Sequence, residues 1–218
     1  MGRQRGYKTN DVLRAAVDVF RADGFHRASV EGLVSATGLN RFALYEKFGG
    51  KQGLFYATLD FYHDVIIKEE LLGPVYLPEA SLGSVLQMLT TMRAINANTD
   101  VRSGCLIVNA NTELGGIDDR VATAAAAVMA TFRHALTGAL TRADGQAELQ
   151  AGRSVADAAD YLVVMIQAFF ALAYISRDAA DELMRMLIGE VGAWRAAAPI
   201  GARARPARRR VFQNARTG

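Results

Sequence analysis

Apolar positions recur at three- and four-residue spacing along nearly the whole chain, and strand-like alternation is scarce. That pattern predicts an all-α protein. The first stripe, Val12, Leu13, Ala16, Val17 and Phe20, predicts a helix that starts after Thr9 or Asn10 and stops at Asp23-Gly24. Phe25 follows as the expected plug of a small core. Ser29 stands where it can cap a short helix with Val30, Leu33 and Val34 on its apolar face. Thr37-Gly38-Leu39-Asn40 supplies a turn: Gly38 offers the positive φ that ends one helix, and Asn40 can cap the next. That next helix, Arg41 to Phe48, buries Leu44 and Phe48 and leaves Arg41, Phe42, Tyr45, Glu46 and Lys47 available to a partner. Two short helices joined by a Gly-containing turn are a common way to lay a helix in the DNA major groove, although the same spacing also serves an ordinary helical hairpin.

Gly49-Gly50 breaks the second short helix. Lys51 opens a long one through Leu54, Phe55, Leu59, Tyr62 and Ile66 to about Leu71, where Gly73-Pro74 ends it. After a Pro74–Pro78 loop, Ser81-Leu82 begins a helix carrying Val85, Leu86, Leu89, Met92 and Ile95, which fades in the polar run Asn96 to Asp100. A short apolar helix spans Cys105 to Leu114. Asp118-Asp119 then caps an alanine-rich helix to about Arg142, with Val128, Phe132, Leu136 and Leu140 on one side. A polar loop, Ala143 to Arg153, leads to Ser154 and a helix whose Tyr161–Phe170 run is apolar almost all round. Such a helix needs more cover than one small chain easily provides. Asp178 starts the last helix, with Leu183, Met186, Leu187, Val191 and Trp194 expected to face inward.

Composition narrows the class. Of the 218 residues 51% are hydrophobic, yet no uninterrupted apolar run reaches the roughly 18 residues of a membrane span. The N-terminus has no apolar signal core, and a single cysteine fits a reducing cytoplasm. The expectation is a cytoplasmic protein with no membrane partner. Residues 1–58 carry 9 basic and 5 acidic groups, residues 59–194 carry 9 and 17, and residues 195–218 carry 7 and 0. A basic head on an acidic body suits a molecule that offers one end to phosphates. From Pro199 onward the chain turns to Arg, Ala, Pro and Gly, the composition of a disordered tail.

Several of these residues together resemble the TetR/AcrR family of transcriptional regulators. They are Ala16 and Phe20, Gly24-Phe25, Ser29-Val30, Gly38-Leu39-Asn40, Ala43-Leu44-Tyr45, Phe48 and Lys51-Gln52-Gly53-Leu54-Phe55, and their order fits over residues 10–56. Gly104-Cys105-Leu106 with Asn109, Thr112, Glu113 and Leu114 is similar to a segment of one AcrR-like branch. Gly32, Phe42 and Gly49-Gly50 depart from the family pattern. The resemblance implies a three-helix DNA-binding domain (1–56), a ligand-binding and dimerisation domain (57–198) and a basic disordered tail (199–218). It implies a homodimer on a double-stranded, palindromic operator, acting as a repressor released by a small-molecule effector. Aromatic and Met side chains in the expected pocket suit a small hydrophobic or aromatic effector, while scattered His26, His63 and His134 and the lack of a nucleophile–base pair or Gly-rich phosphate loop suggest no metal, cofactor or catalysis.

The residues expected to meet DNA are Thr9, Ser29, Asn40, Arg41, Phe42, Ala43, Tyr45, Lys47 and Lys51. The resemblance puts Tyr45 and Lys51 on phosphate, and Lys51 also lies at a helix start where backbone N–H groups favour anions. Arg41 can read guanine N7 and O6 or hold phosphate. Thr9, Ser29 and Asn40 are expected to be helix caps first. An apolar effector cavity is expected among Phe61, Tyr62, Val65, Met88, Met92, Cys105, Val108, Phe132, Met165 and Phe169, with Asn109 and Glu113 as a polar pair one turn apart. The dimer interface is expected to use Val164, Ala168, Leu183, Leu187, Val191 and Trp194. Three alternatives stay open: redox or electrophile sensing through Cys105 beside Arg102, an enzyme built on the Asn109/Glu113 cluster, and a helical adaptor that does not bind DNA.

Overall fold

The computed structural model describes residues 8–98 and 104–196. Within them the chain is helical, with only an isolated bridge between Leu149 and Arg195. A head consists of α1 (Thr9–Arg27), α2 (Val30–Thr37) and α3 (Arg41–Phe48). α4 (Lys51–Phe61) continues directly into a π-helical segment (Tyr62–Leu71). The body adds α5 (Gly73–Tyr76), α6 (Leu82–Ala97), α7 (Leu106–Leu114), α8 (Asp119–Gly145), α9 (Val155–Ile175) and α10 (Arg177–Ala193). The expected tail at 199–218, and Arg102, lie outside the described residues.

The head closes on Phe20, Leu33, Leu44, Leu54 and Phe55, all buried. The Phe20 and Phe25 rings meet Phe55 at 5.0 and 4.8 Å between centroids. Ser29 Oγ accepts from Gly32 N at 2.9 Å and Asn40 Oδ1 from Ala43 N at 2.7 Å, so both expected caps form. Gly38 takes φ 70° and ends α2. Thr9 is not a cap. It is the first helical residue of α1, and Lys8 holds the cap position without a side-chain bond. Gly53 has a role that its spacing does not announce: a Cβ there would fall inside the Phe48 carbonyl, so α4 starts in backbone contact with the end of α3.

In the body, α8 buries one stripe from Val121 through Phe132 to Ala143 and packs on α5, α6, α7 and α9. It runs past Arg142 to Gly145, where the Gln146 N–H still donates to Arg142 O and Ala147 turns to φ 56°, while the Arg142 guanidinium donates to Val75 O at 2.8 Å and Ala80 O at 3.0 Å. The expected Pro74–Pro78 loop holds α5, with Pro74 in the first turn, where a missing N–H costs no helical bond. α10 starts one residue before Asp178, since Ser176 Oγ accepts from Ala179 N. It packs on α6 and α9, pinned by Arg93–Asp181 bonds of 2.7 and 2.9 Å. Ile95 and Met186, expected inside, are 53% and 58% exposed, and Met184 is buried.

α9 has a mean hydropathy of 1.8 over eighteen residues, long and apolar enough by composition to cross a membrane. Its apolarity has two uses within this fold. Leu162, Val163, Ile166, Phe169 and Ala173 are buried against neighbouring helices. Tyr161, Val164, Ala168, Ala171 and Ile175, at three- and four-residue spacing, form a second stripe that the chain itself leaves uncovered or half-covered.

The head meets the body where α1 packs on α7 and α4 on α8. Gly24, at φ 74° and ψ 178°, breaks α1 before its last turn. The N–H groups just past this break, on Phe25 and His26, donate to the two oxygens of Glu113 on α7, each at 2.8 Å. A Cβ at residue 24 would lie 2.6 Å from Glu113 Oε2, so positive φ and close approach both require glycine. A second joint runs from Tyr56 Oη to Asp118 Oδ2 at 2.7 Å. That hydrogen bond holds the Asp118 carboxyl below its ordinary range, and Asp118 also caps α8.

Hydrogen bonds to a charged group contribute about 1.5–3 kcal/mol each. Glu113→Gln keeps one acceptor and loses the charge. It is expected to lower stability by roughly 1–3 kcal/mol and to speed amide exchange at Phe25 and His26 more than at Ala16 or Phe20. Gly24→Ala should do the same through strain. Hydrogen exchange followed by NMR reads both, and unchanged protection at Phe25 and His26 would show that the carboxylate does not hold them.

Candidate nucleic-acid interface and interior cavity

α3 turns its polar side outward. Phe42 is 75% and Tyr45 50% exposed, Arg41 and Lys47 are exposed, and Ala43 is half-buried. Arg41 Nη1 meets Glu31 Oε1 at 3.3 Å with both side chains largely in solvent. Such a pair is weak, so Arg41 is held near the first turns of α2 and α3 without being committed there. Those turns also carry Ser29 and Asn40, and two helix N-termini on one edge suit phosphate. The Tyr45 ring lies over Gly50, where an added Cβ would come within 3.1 Å of it, so the phenol is braced by the turn. Thr9 is exposed at the far end of α1.

Lys51 is at the start of α4, yet its Nζ donates to His26 O at 3.2 Å and sits 4.7 Å from the Phe25 ring centroid. Its ammonium therefore serves the last carbonyls of α1, in keeping with the negative end of a helix. The same short turn, Phe25–His26, is thus held by Glu113 through its N–H groups and by Lys51 through a carbonyl.

An apolar cavity of about 160 Å³ opens between the π-helical segment, α6 and α9. Tyr62, Ile66, Ile67 and Leu71 form one wall, and Met92, Phe169, Phe170 and Ala173 the other. The π geometry creates the first wall. A ladder closing five residues back turns each residue less about the axis than one closing four back. Tyr62 and Leu71, nine apart and on opposite sides of an α-helix, then share a side. Of the residues expected at the effector site, Tyr62, Met92 and Phe169 line this cavity. Phe61, Met88, Cys105 and Phe132 are buried in close packing, and Val65 and Met165 pack half-buried against the core.

Val108, Asn109 and Glu113 line a different space, a cleft of about 390 Å³ between α1, α7 and the end of α9. Asn109 Nδ2 is buried there without a hydrogen-bond partner. Glu113 does not offer a free carboxylate to a ligand, because both oxygens serve the backbone of α1. Arg21 of α1 lines both the cavity and the cleft. No periodicity in the sequence singles it out, since it lies just past the α1 core stripe. Burial pushes the Cys105 thiol up, opposed by hydrogen bonding from Val108 N–H and the Tyr62 hydroxyl and by the charge of Arg21.

On the outer face, Val164 is 63% exposed, and Ala168 and Leu183 are half-buried. Leu187, Val191 and Trp194, expected between protomers, are buried within the chain itself. The most apolar side of α10 is used on α6 and α9, which leaves Met186 outward. Trp194 is further committed, with its Nε1 on Glu190 at 3.0 Å and Arg153 over its ring at 4.6 Å.

Two family models match. One described as bacterial regulatory proteins, tetR family, covers residues 12–58, and one described as tetracyclin repressor-like, C-terminal domain, covers 82–187. The HTH-type transcriptional repressor ComR of Escherichia coli is 27% identical over 168 residues, 76% of this chain and 79% of its own. The reduced form of E. coli NemR superimposes with a TM-score of 0.74 at 17% identity, covering 87% of this chain and 97% of that one. A cysteine mutant of the TetR-family regulator CifR, complexed with 26-base-pair double-strand operator DNA, gives 0.66 at 21% identity, covering 86% and 98%. The solved structures show the shared fold, and the family matches fall on the head and the body in turn. The chain belongs to the TetR family of transcriptional regulators, with an N-terminal DNA-binding domain and a C-terminal ligand-binding domain.

Proposed function

We propose that the chain is a homodimeric repressor that leaves a palindromic operator when a small effector enters the 160 Å³ cavity. The observation that carries this reading is Arg21: a residue of the DNA-binding head forms part of the cavity wall, so an occupant touches the head directly. The repressor ComR and the operator complex of CifR support it by likeness. An effector that tilts α1 acts on the turn held by Glu113 and Lys51 and so alters the spacing of the two heads. Thermodynamics requires it to bind the released form more tightly, and DNA must weaken its binding by the same factor.

In the dimer, the uncovered α9 stripe of Tyr161, Val164, Ala168, Ala171 and Ile175 pairs with its copy, beside Met186 and Gly189 of α10. The rival thiol-sensing reading requires a reachable thiolate, whereas Cys105 is fully buried and its thiol is pushed up by burial. The enzymatic reading requires a free acid at the Asn109/Glu113 cluster, and Glu113 is engaged.

Operator selection from genomic fragments, followed by fluorescence anisotropy at fixed salt, tests the DNA half. Arg41→Ala is expected to cost about 1–3 kcal/mol on the selected site and much less on random duplex. Equal losses on both would reassign Arg41 to phosphate. Val164→Glu places a charge on the α9 stripe, and sedimentation should then report monomer where the wild type reports dimer. A monomeric wild type at micromolar concentration would remove the proposed interface. A thiol reagent should label Cys105 in urea and leave it largely untouched in the folded protein. Fast labelling of the native chain would reopen the sensing role.

A further inference from the structure

The charges around the cavity are not balanced. Glu70 lines it, but both of its oxygens face the Arg14 guanidinium. Asn96, buried, donates to Arg177 O at 3.3 Å. Arg21 is less well matched: its ion pair among the described residues is a single 3.5 Å contact to Asp18, whose side chain is 75% exposed. The Arg21 side chain is itself only 24% exposed. The cavity therefore presents a mostly apolar interior with one under-paired cation, Arg21, among its lining residues. A guanidinium fork matches a carboxylate in two parallel hydrogen bonds.

Size suggests the apolar part. A sealed cavity of about 150 Å³ accepts one benzene ring, and this one, about 160 Å³ and open to solvent beside the exposed Ile95, has room for a ring of that size. We propose that the cavity takes a small monoanion, an apolar body of single-ring size bearing one carboxylate that pairs with Arg21. This assignment rests on the effector-cavity reading above and adds the chemical class of the occupant. The field of Arg21 already reaches across this space, opposing the effect of burial on the Tyr62 hydroxyl and the Cys105 thiol. An anion placed beside it pulls on a side chain of α1 itself, two residues before the Asp23-Gly24 break that Glu113 grips.

Benzoate, benzamide and benzylamine carry one ring with charges of −1, 0 and +1. Calorimetry and thermal shift on the full chain should give benzoate at least a roughly tenfold tighter binding than benzamide, with benzylamine weakest. Arg21→Gln should erase the preference and Arg21→Lys should keep part of it. Equal binding of the three, a preference for benzylamine, benzoate binding insensitive to Arg21→Gln, or no binding at millimolar concentration would each overturn the proposal. If an Arg21 variant does not fold, as judged by circular dichroism, the series on the wild type still decides. A cavity-filling Ala173→Leu, assayed for operator affinity without ligand, tests the effector reading separately. Changed affinity there with no benzoate preference leaves the sensor in place and removes only the carboxylate.

Discussion

The arrangement of this molecule turns on one carboxylate. Glu113 belongs to the body, and what it holds is the last turn of the first helix of the head. Of the other polar joints between the two parts, Tyr56–Asp118 is a single hydrogen bond. Arg14–Glu70 is close to half-exposed on both sides, and pairs of that kind contribute about 0–1 kcal/mol. Two charge-assisted bonds to backbone N–H groups outweigh them. They also act at a defined place, where Gly24 has already interrupted the helix, so any displacement of α7 is passed to Phe25 and His26 rather than absorbed along α1. Phe25 in turn packs on Phe55 and under Lys51. The seat of α4 in the head and the attitude of α1 are therefore set by the same short turn.

The π-helical segment is the second determinant, and it bears on what the sequence reveals. The head was legible almost residue by residue: its signals are local, and Ser29, Gly38, Asn40 and Gly49-Gly50 act within a turn of where they stand. Helix order in the body was legible for the same reason. The cavity was less so. Reading Tyr62–Leu71 with an α period groups Tyr62 with Phe61 and Val65, whereas the wider ladder sets Tyr62 beside Ile66, Ile67 and Leu71. Met88, Cys105 and Phe132 had the right chemistry for a pocket and are simply packed, since apolar character does not separate a cavity wall from a core. Glu113 was visible as a polar residue in an apolar run. Its partner is the backbone of residues nearly ninety positions away, which no spacing rule can supply.

The misplacement at the dimer face has a related cause. Helices α9 and α10 are both apolar on more than one side, and periodicity does not say which side meets the same chain and which a second copy. Leu187, Val191 and Trp194 make the better stripe, and the chain uses that stripe for itself. The remaining face mixes large side chains, Tyr161, Ile175 and Met186, with the small Ala168, Ala171 and Gly189, and under the proposed function it is this face that a second copy would cover.

Glu113 from the body and Lys51 from the head's own fourth helix hold the last turn of α1, a few residues beyond Arg21, which lines the cavity. Under the proposed function this proximity removes the need for a long relay. An occupant that draws Arg21 acts on a helix whose last turn is pinned on one side by the body and on the other by α4, so rotation there must break or re-aim bonds rather than bend them. Coupling of that kind is bounded by what the pins are worth, a few kcal/mol in total. That range matches the one to three kcal/mol typical of coupling between sites. A stronger clamp would hold the head in one attitude against any small ligand, and a weaker one would let it drift without any. In the proposed switch, the strength of the Glu113 grip therefore sets both how firmly the two heads stay in register for DNA and how tightly an effector must bind to disturb them.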